Sequence, residues 1–199
     1  MCKNHDLFKK NTALLPNLWE DFAAFEQKIF QLAEKMQVNL ADFLIDHLAI
    51  RVNLCKDAEK WLTALLKCGR ILSDNQVNGR VIYLIELTEP LTFAGQSVNV
   101  IELPFPKNKI YPKEGFEHIE LVLPFIAEET TQSWEERILM QFGWNNNPNF
   151  TVKTDEPKAE GEQLPNPSIA VSFADKSNNH TCIKIHPYHI KQIIGISSQ

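Results

Sequence analysis

Asp46-His47-Leu48-Ala49-Ile50 and Glu117-His118-Ile119-Glu120-Leu121 read as one strand written twice: acid, histidine, aliphatic, any residue, aliphatic. Each opens the same succession of elements. After the first, Ala58, Trp61, Leu62, Leu65 and Leu66 fall on one face of a helix that begins at Asp57 and ends at Gly69, read as a left-handed stop. After the second, a helix from about Glu128 carries Trp134, Ile138 and Phe142 and ends at Gly143. Three β-type stretches follow each helix. They run over 70–73, 80–87 and 96–103 in the first half, and over 150–154, 168–173 and 181–186 in the second. Asn78-Gly79 is a hairpin turn, and Glu89-Pro90 and Ala94-Gly95 are expected to break the chain. The closing strands also align, Val100-Ile101-Glu102-Leu103 against Cys182-Ile183-Lys184-Ile185. A period this long argues for a duplicated βαβββ unit.

Outward from this repeat, Leu18, Phe22, Phe25, Ile29, Leu32 and Met36 recur every three or four residues. They predict an amphipathic helix of about five turns with Asn17 at its cap. It has no counterpart in the second half, so it reads as an addition. The fold class expected is α+β: paired βαβββ units forming a curved mixed sheet or open barrel, with an extra N-terminal helical segment. Residues 1–40 are the extension and 41–199 the main domain, its units spanning 44–104 and 115–187. A Pro-rich link, 104–115, joins the units. The polar stretch 155–167 is a long loop of the kind that often serves function. A short helix over 187–194 closes the chain.

Composition narrows the function. At 199 residues and 44% hydrophobic, the chain buries a sizeable core. A net charge of -5 with interspersed signs and no basic block excludes nucleic acid and anionic membranes as expected partners. The first residues lack the apolar run of a signal peptide, and no stretch approaches the roughly 20 apolar residues that span a bilayer, so the expected location is the cytoplasm. Cys2, Cys55, Cys68 and Cys182 form no CxxC pair and read as reduced thiols.

Two imidazoles from matching repeat positions, His47 and His118, and a carboxylate near the end of the first unit, Glu102, make the candidate metal set. Such donors suit Zn, Ni, Mn or Fe, and the ion would polarise a carbonyl or stabilise an enolate. Glu120 is the candidate proton shuttle. Arg51, Arg80, Lys184 and His186 are candidates to hold an anionic small molecule. Each has a plain structural alternative: a satisfied core histidine, or an ion pair joining Glu102 to Arg51 or Lys184. No organic cofactor is implied, since no Gly-rich phosphate loop or nucleophile elbow is present.

Asn78-Gly79-Arg80, Val100-Ile101-Glu102-Leu103-Pro104, Tyr111-Pro112, Glu114-Gly115-Phe116-Glu117-His118-Ile119-Glu120, Leu164-Pro165-Asn166-Pro167 and Ile183-Lys184-Ile185-His186-Pro187 together resemble the YecM family over nearly the whole chain. That family is similar in fold to the vicinal-oxygen-chelate superfamily, which includes glyoxalase I, methylmalonyl-CoA epimerase, extradiol dioxygenases and bleomycin-resistance proteins. The resemblance implies paired units and a divalent metal site, and no particular reaction. Where the superfamily's metal enzymes often place a carboxylate on the last strand, this chain has Lys184. That leaves a three-ligand site, or a metal-free site in which Lys184 pairs with Glu102. The expected function is a metal-dependent isomerase, lyase or dioxygenase acting on a small oxygenated metabolite. The alternatives are a non-catalytic binding protein of the bleomycin-resistance type and an interaction module docking through the first helix. A monomer or a homodimer fits equally.

Overall fold

The computed structural model describes residues 18–157 and 164–196. The expected first helix is α1, Leu18–Met36. Phe22, Phe25, Ile29, Leu32 and Met36 are all buried, as their spacing requires. Phe22 and Phe25 pack edge-on and stacked against Phe93 and Phe116, and the Met36 carbonyl accepts a hydrogen bond from Trp144 Nε1. Asn17 lies outside the described residues.

The first unit comprises β1 (Leu44–Arg51), α2 (Cys55–Leu65), β2 (Gly69–Ser73), the two-residue β3 (Gln76–Val77), β4 (Arg80–Phe93) and β5 (Gln96–Pro104). The second comprises β6 (Gly115–Val122), α3 (Thr131–Phe142), β7 (Phe150–Asp155), β8 (Ser168–Phe173) and β9 (Cys182–His186). A short α4, Ile190–Ile193, follows. The described strands form one nine-stranded sheet in the order β2-β4-β5-β1-β6-β9-β8-β7, with β3 added to β4. Each unit thus contributes the same strand order, read outward from its opening strand. The two opening strands pair antiparallel at the centre, and each lies parallel to its unit's closing strand.

Leu48 faces Ile119 across the β1–β6 pair. Beside it, Ala49 pairs with Glu102 and Glu120 with Lys184. The repeat alignment is therefore the alignment of a pseudo-two-fold axis through Leu48 and Ile119. The fold is mixed α+β with a curved mixed sheet that does not close into a barrel, because edge strands β2 and β7 do not pair.

Alternation along the strands gives the sheet two faces. One, with Ile45, Leu48, Ile50, Ile85, Ile101, Leu103, Ile119, Leu121, Ile169, Val171, Ile183 and Ile185, forms the apolar core with the helices. The other is concave and polar, and carries Arg51, Glu102, Glu120 and Lys184.

Several local expectations are corrected. Gly69 is not a left-handed helix stop: α2 ends at Leu65 with a right-handed Leu66 at its cap, and Gly69 opens β2 opposite Leu87. Its reason is close approach, since a Cβ there would lie 2.4 Å from the Glu86 carbonyl oxygen. Glu89-Pro90 does not break the chain. β4 runs through it with a register shift between Glu86 and Leu91 against β5, the kind of irregularity that admits a proline within a strand. α3 starts at Thr131, not near Glu128, which has φ 61; Thr130 and Ser133 form its capping box. Gly143, at φ 65, does end it as expected. Asn78 and Gly79, at φ 51 and 75, form the hairpin turn, although it links β3 rather than β2 to β4. None of the described helices is long and apolar enough to cross a membrane.

Candidate metal centre

His47 on β1, His118 and Glu120 on β6 and Glu102 on β5 place one donor atom each within 4.8 Å of one another, all four residues buried. The expected trio meets where the pseudo-two-fold axis brings the unit centres together. Glu120, expected as a separate base, lies within the same group. His47 Nε2 is 3.7 Å from both Glu102 Oε2 and Glu120 Oε1. His118 Nε2 is 3.3 Å from Glu120 Oε1 and 3.9 Å from Glu102 Oε1.

Both imidazoles are held from behind by the acid that precedes them. Asp46 Oδ2 lies 3.0 Å from His47 Nδ1, and Glu117 Oε2 lies 2.7 Å from His118 Nδ1. In a regular strand, adjacent residues point to opposite faces, so a β-bulge must intervene. The register supplies one in each strand. Between the pairs Ile45–Leu121 and His47–Glu120, Asp46 is the unpaired extra residue. Between Ala49–His118 and Ile50–Phe116, the extra residue is Glu117. The bulges also explain why Ile45 and Leu48, and Phe116 and Ile119, three apart, all face the core.

With Nδ1 engaged, each ring aims Nε2 into the group. Neither Nε2 has a hydrogen-bond partner among the described residues, although both histidines are 0% exposed. A buried polar atom left without a partner costs about 1–3 kcal/mol, so these atoms ask for a ligand. A carboxylate on the far ring nitrogen is the usual support of a metal-bound histidine.

The cations expected to hold substrate are engaged inside the site. Arg51 Nη1 donates to Glu102 Oε1 at 2.9 Å and to the Ile50 carbonyl, and its Nε is 3.3 Å from Glu117 Oε2. Lys184 Nζ donates to Glu120 Oε1 at 3.0 Å. His186 is buried behind the group, its Nε2 3.1 Å from Asp46 Oδ2 and its Nδ1 3.4 Å from Glu120 Oε2. Arg80 lies apart, on the cavity wall. Sequence reasoning passed over Asp46, Glu117 and His189, whose Nδ1 is 3.0 Å from Asp46 Oδ1. The apolar pairs spaced by three around each acid-His dipeptide were the available signal for the first two. His189 had none, because α4 reaches Asp46 only in the folded chain, where the Ile190 amide donates to Asp46 Oδ2.

Burial opposes ionisation of all four acids, and in each case hydrogen bonds and neighbouring charges outweigh it. His186 and His47 hold Asp46 well below the usual carboxylate range; Arg51 does the same for Glu102 and Glu117, and Lys184 for Glu120. Four carboxylates thus face two permanent cations. With neutral imidazoles the group is short of two positive charges, the charge of one divalent ion. Without such an ion, burial pushes the His47 imidazole down, but the charge of Glu120 and the contacts with Asp46 and Glu102 carry it up to about 10. Burial pushes the nearby Cys182 thiol up to about 12, so it stays neutral.

Glu102 and Glu120 of the group form part of the floor of a cavity of about 450 Å³, whose walls come from β2–β4 on one side and β7–β8 on the other; His47 and His118 are fully buried and do not line it. That size is ordinary for a small-molecule site.

The YecM protein family model matches residues 15–197. An uncharacterised protein of Haemophilus influenzae is 57% identical over 183 residues, covering 92% of this chain and 95% of its own. Protein YecM of Escherichia coli is 36% identical over 181 residues, covering 91% and 93%. A solved structure described as "Structural Genomics, Protein EC4020" is similar with a TM-score of 0.77 at 32% identity, covering 98% of this chain and 96% of that one.

Proposed function

We propose that this chain, which belongs to the YecM family, binds one divalent metal ion through His47, Glu102, His118 and Glu120, and acts with it on a small oxygenated metabolite in the manner of an isomerase, lyase or dioxygenase. The observation that carries this reading is the pair of buried, unpartnered Nε2 atoms, each backed by its own carboxylate and facing two more. Two nitrogen and two oxygen donors suit Zn, Ni, Mn or Fe. Bound there, the ion would supply a Lewis acid at the cavity floor.

The residues would divide the remaining work. Asp46 and Glu117 fix the tautomers and ring planes of the histidines. Arg51 neutralises one oxygen of Glu102 and leaves the other facing His47. Lys184 and His186 flank Glu120 and set its orientation. The paired units meeting at β1 and β6 support a vicinal-oxygen-chelate reading of the fold.

A second reading, a binding protein using the same cavity without chemistry, is favoured by the completeness of the donor set. Four protein donors close a tetrahedral zinc site, whereas a five- or six-coordinate ion keeps positions open. Elemental analysis of protein purified without chelator tests the reading, with about one ion per chain expected. His118→Ala should abolish stoichiometric uptake. Metal-free protein that shows no calorimetric signal with Zn²⁺, Ni²⁺, Mn²⁺ or Fe²⁺ would remove both the site and the enzyme. A metal spectrum showing water in the coordination sphere would favour the enzyme over the binder.

A further inference from the structure

Arg51 and Lys184 are already paired with the carboxylates of the floor. Arg80 is different. It is half-buried, it lines the same cavity, and it has no carboxylate partner among the described residues. By strand alternation Arg80, Ile82 and Leu84 point the same way, and all three line the cavity. Leu84 stands in register with Glu102. Arg80 is four residues further along β4, about 13 Å away at ~3.3 Å per residue. The guanidinium therefore faces the cavity well away from the metal-binding group.

The rest of the lining leans the same way. On the floor Arg51 and Lys184 are matched by Glu102, Glu117 and Glu120, while on the walls and rim the exposed Lys109, Lys153 and Lys176 join Arg80 against one acid, Asp155. Between them lie apolar Ile82, Leu84 and Ile190. Net-positive walls beside a floor whose cations are already paired would attract an anion and orient it, because its charged end is drawn to the unpaired guanidinium.

We infer that this cavity receives a small organic anion, a carboxylate or phosphate ester, whose charged end is held by Arg80 while its oxygen-bearing end lies over the His47–Glu102–His118–Glu120 group. The second half of this assignment rests on the metal reading; the Arg80 subsite does not. Guanidinium suits either anion through paired N–H donors.

The two sources and the two claims separate in one experiment. Full-length protein, as purified and again after EDTA treatment, is titrated with inorganic phosphate and with malonate by calorimetry at fixed ionic strength. EDTA-treated protein is the decisive arm, because either probe can also ligate a metal. Wild-type protein should bind at least one probe after EDTA. Arg80→Gln should weaken that binding about tenfold or more, the loss of one charge-assisted pair. Arg80→Lys should recover part of it, and the exposed control Lys60→Gln should match wild type. Phosphate binding alone assigns a phosphate ester, and malonate binding alone a carboxylate. Retention of the Arg80-dependent signal in His118→Ala supports the subsite whatever becomes of the metal reading. Equal binding by wild type and Arg80→Gln, or no binding of either probe by wild type at millimolar concentration, overturns it.

Discussion

A histidine is only as good a ligand as its orientation, and here an adjacent acid sets that orientation. Glu117 touches His118 Nδ1 at 2.7 Å, and its other contact is Arg51. Glu117→Gln keeps the size and a hydrogen-bonding group but removes the charge that raises the basicity of the ring. Metal affinity should fall by roughly 10- to 100-fold, with the far-ultraviolet circular dichroism unchanged. Calorimetric titration of the metal-free variant measures this, and an affinity within twofold of wild type would show that Glu117 merely balances Arg51. The same scale explains a limit of sequence reading. Arg51 and Lys184 stand at positions from which they reach either substrate or carboxylate, and only the distances to Glu102 and Glu120 show them committed to the latter. Glu120 likewise sits one pleat beyond His118 on the same face, so membership in the donor group and a separate role look alike in one dimension.

At the level of elements, most assignments followed from pattern, and the failures share a cause. α1 keeps its apolar positions at helical spacing, and β8 spans the residues its alternation marks out. Gly69 and Pro90 were misread because their roles come from neighbouring strands. Gly69 is pressed against the backbone of β4, and Pro90 rides in a strand whose pairing is already irregular. The first gives a direct prediction. Gly69→Ala in a relaxed strand would gain about 0.4–1 kcal/mol from the stiffer unfolded chain. Here the added methyl meets the Glu86 carbonyl oxygen at 2.4 Å, and overpacking against backbone costs about 1–3 kcal/mol. The variant should be destabilised, with a lower urea midpoint and an unchanged slope. A midpoint at or above that of wild type would mean that β2 and β4 do not approach this closely. The two bulges belong to this scale as well. Asp46 and Glu117 turn toward the concave face only because β1 and β6 pair out of step twice.

Over the whole molecule, the site lies at the seam between the units, where β1 meets β6 and each is flanked by its closing strand. Donors come from both units, so an ion bound there ties them together and binds the native state alone. Saturation at 100 times the dissociation constant adds about 2.7 kcal/mol. At this size that shift raises the melting temperature by roughly 5–10 °C. Adding Zn²⁺ or Ni²⁺ to EDTA-treated protein should produce that rise by differential scanning calorimetry, and His118→Ala should lose it. An equal rise in the variant would place the ion elsewhere.

The sequence by itself determined the α+β class, the paired units and the added helix, and it marked His47, Glu102 and His118 as candidate ligands. These rest on short-range periodicity and on likeness between two stretches of one chain, both of which can be read along a line. Only the tertiary structure decided that Glu120 joins the trio, that Asp46 and Glu117 stand behind the rings, and that Arg51 and Lys184 are occupied while Arg80 is left facing the cavity. Those facts depend on the register between strands distant in the chain, such as β1 and β6. A slip of one residue there turns every side chain to the other face, and no local pattern fixes it.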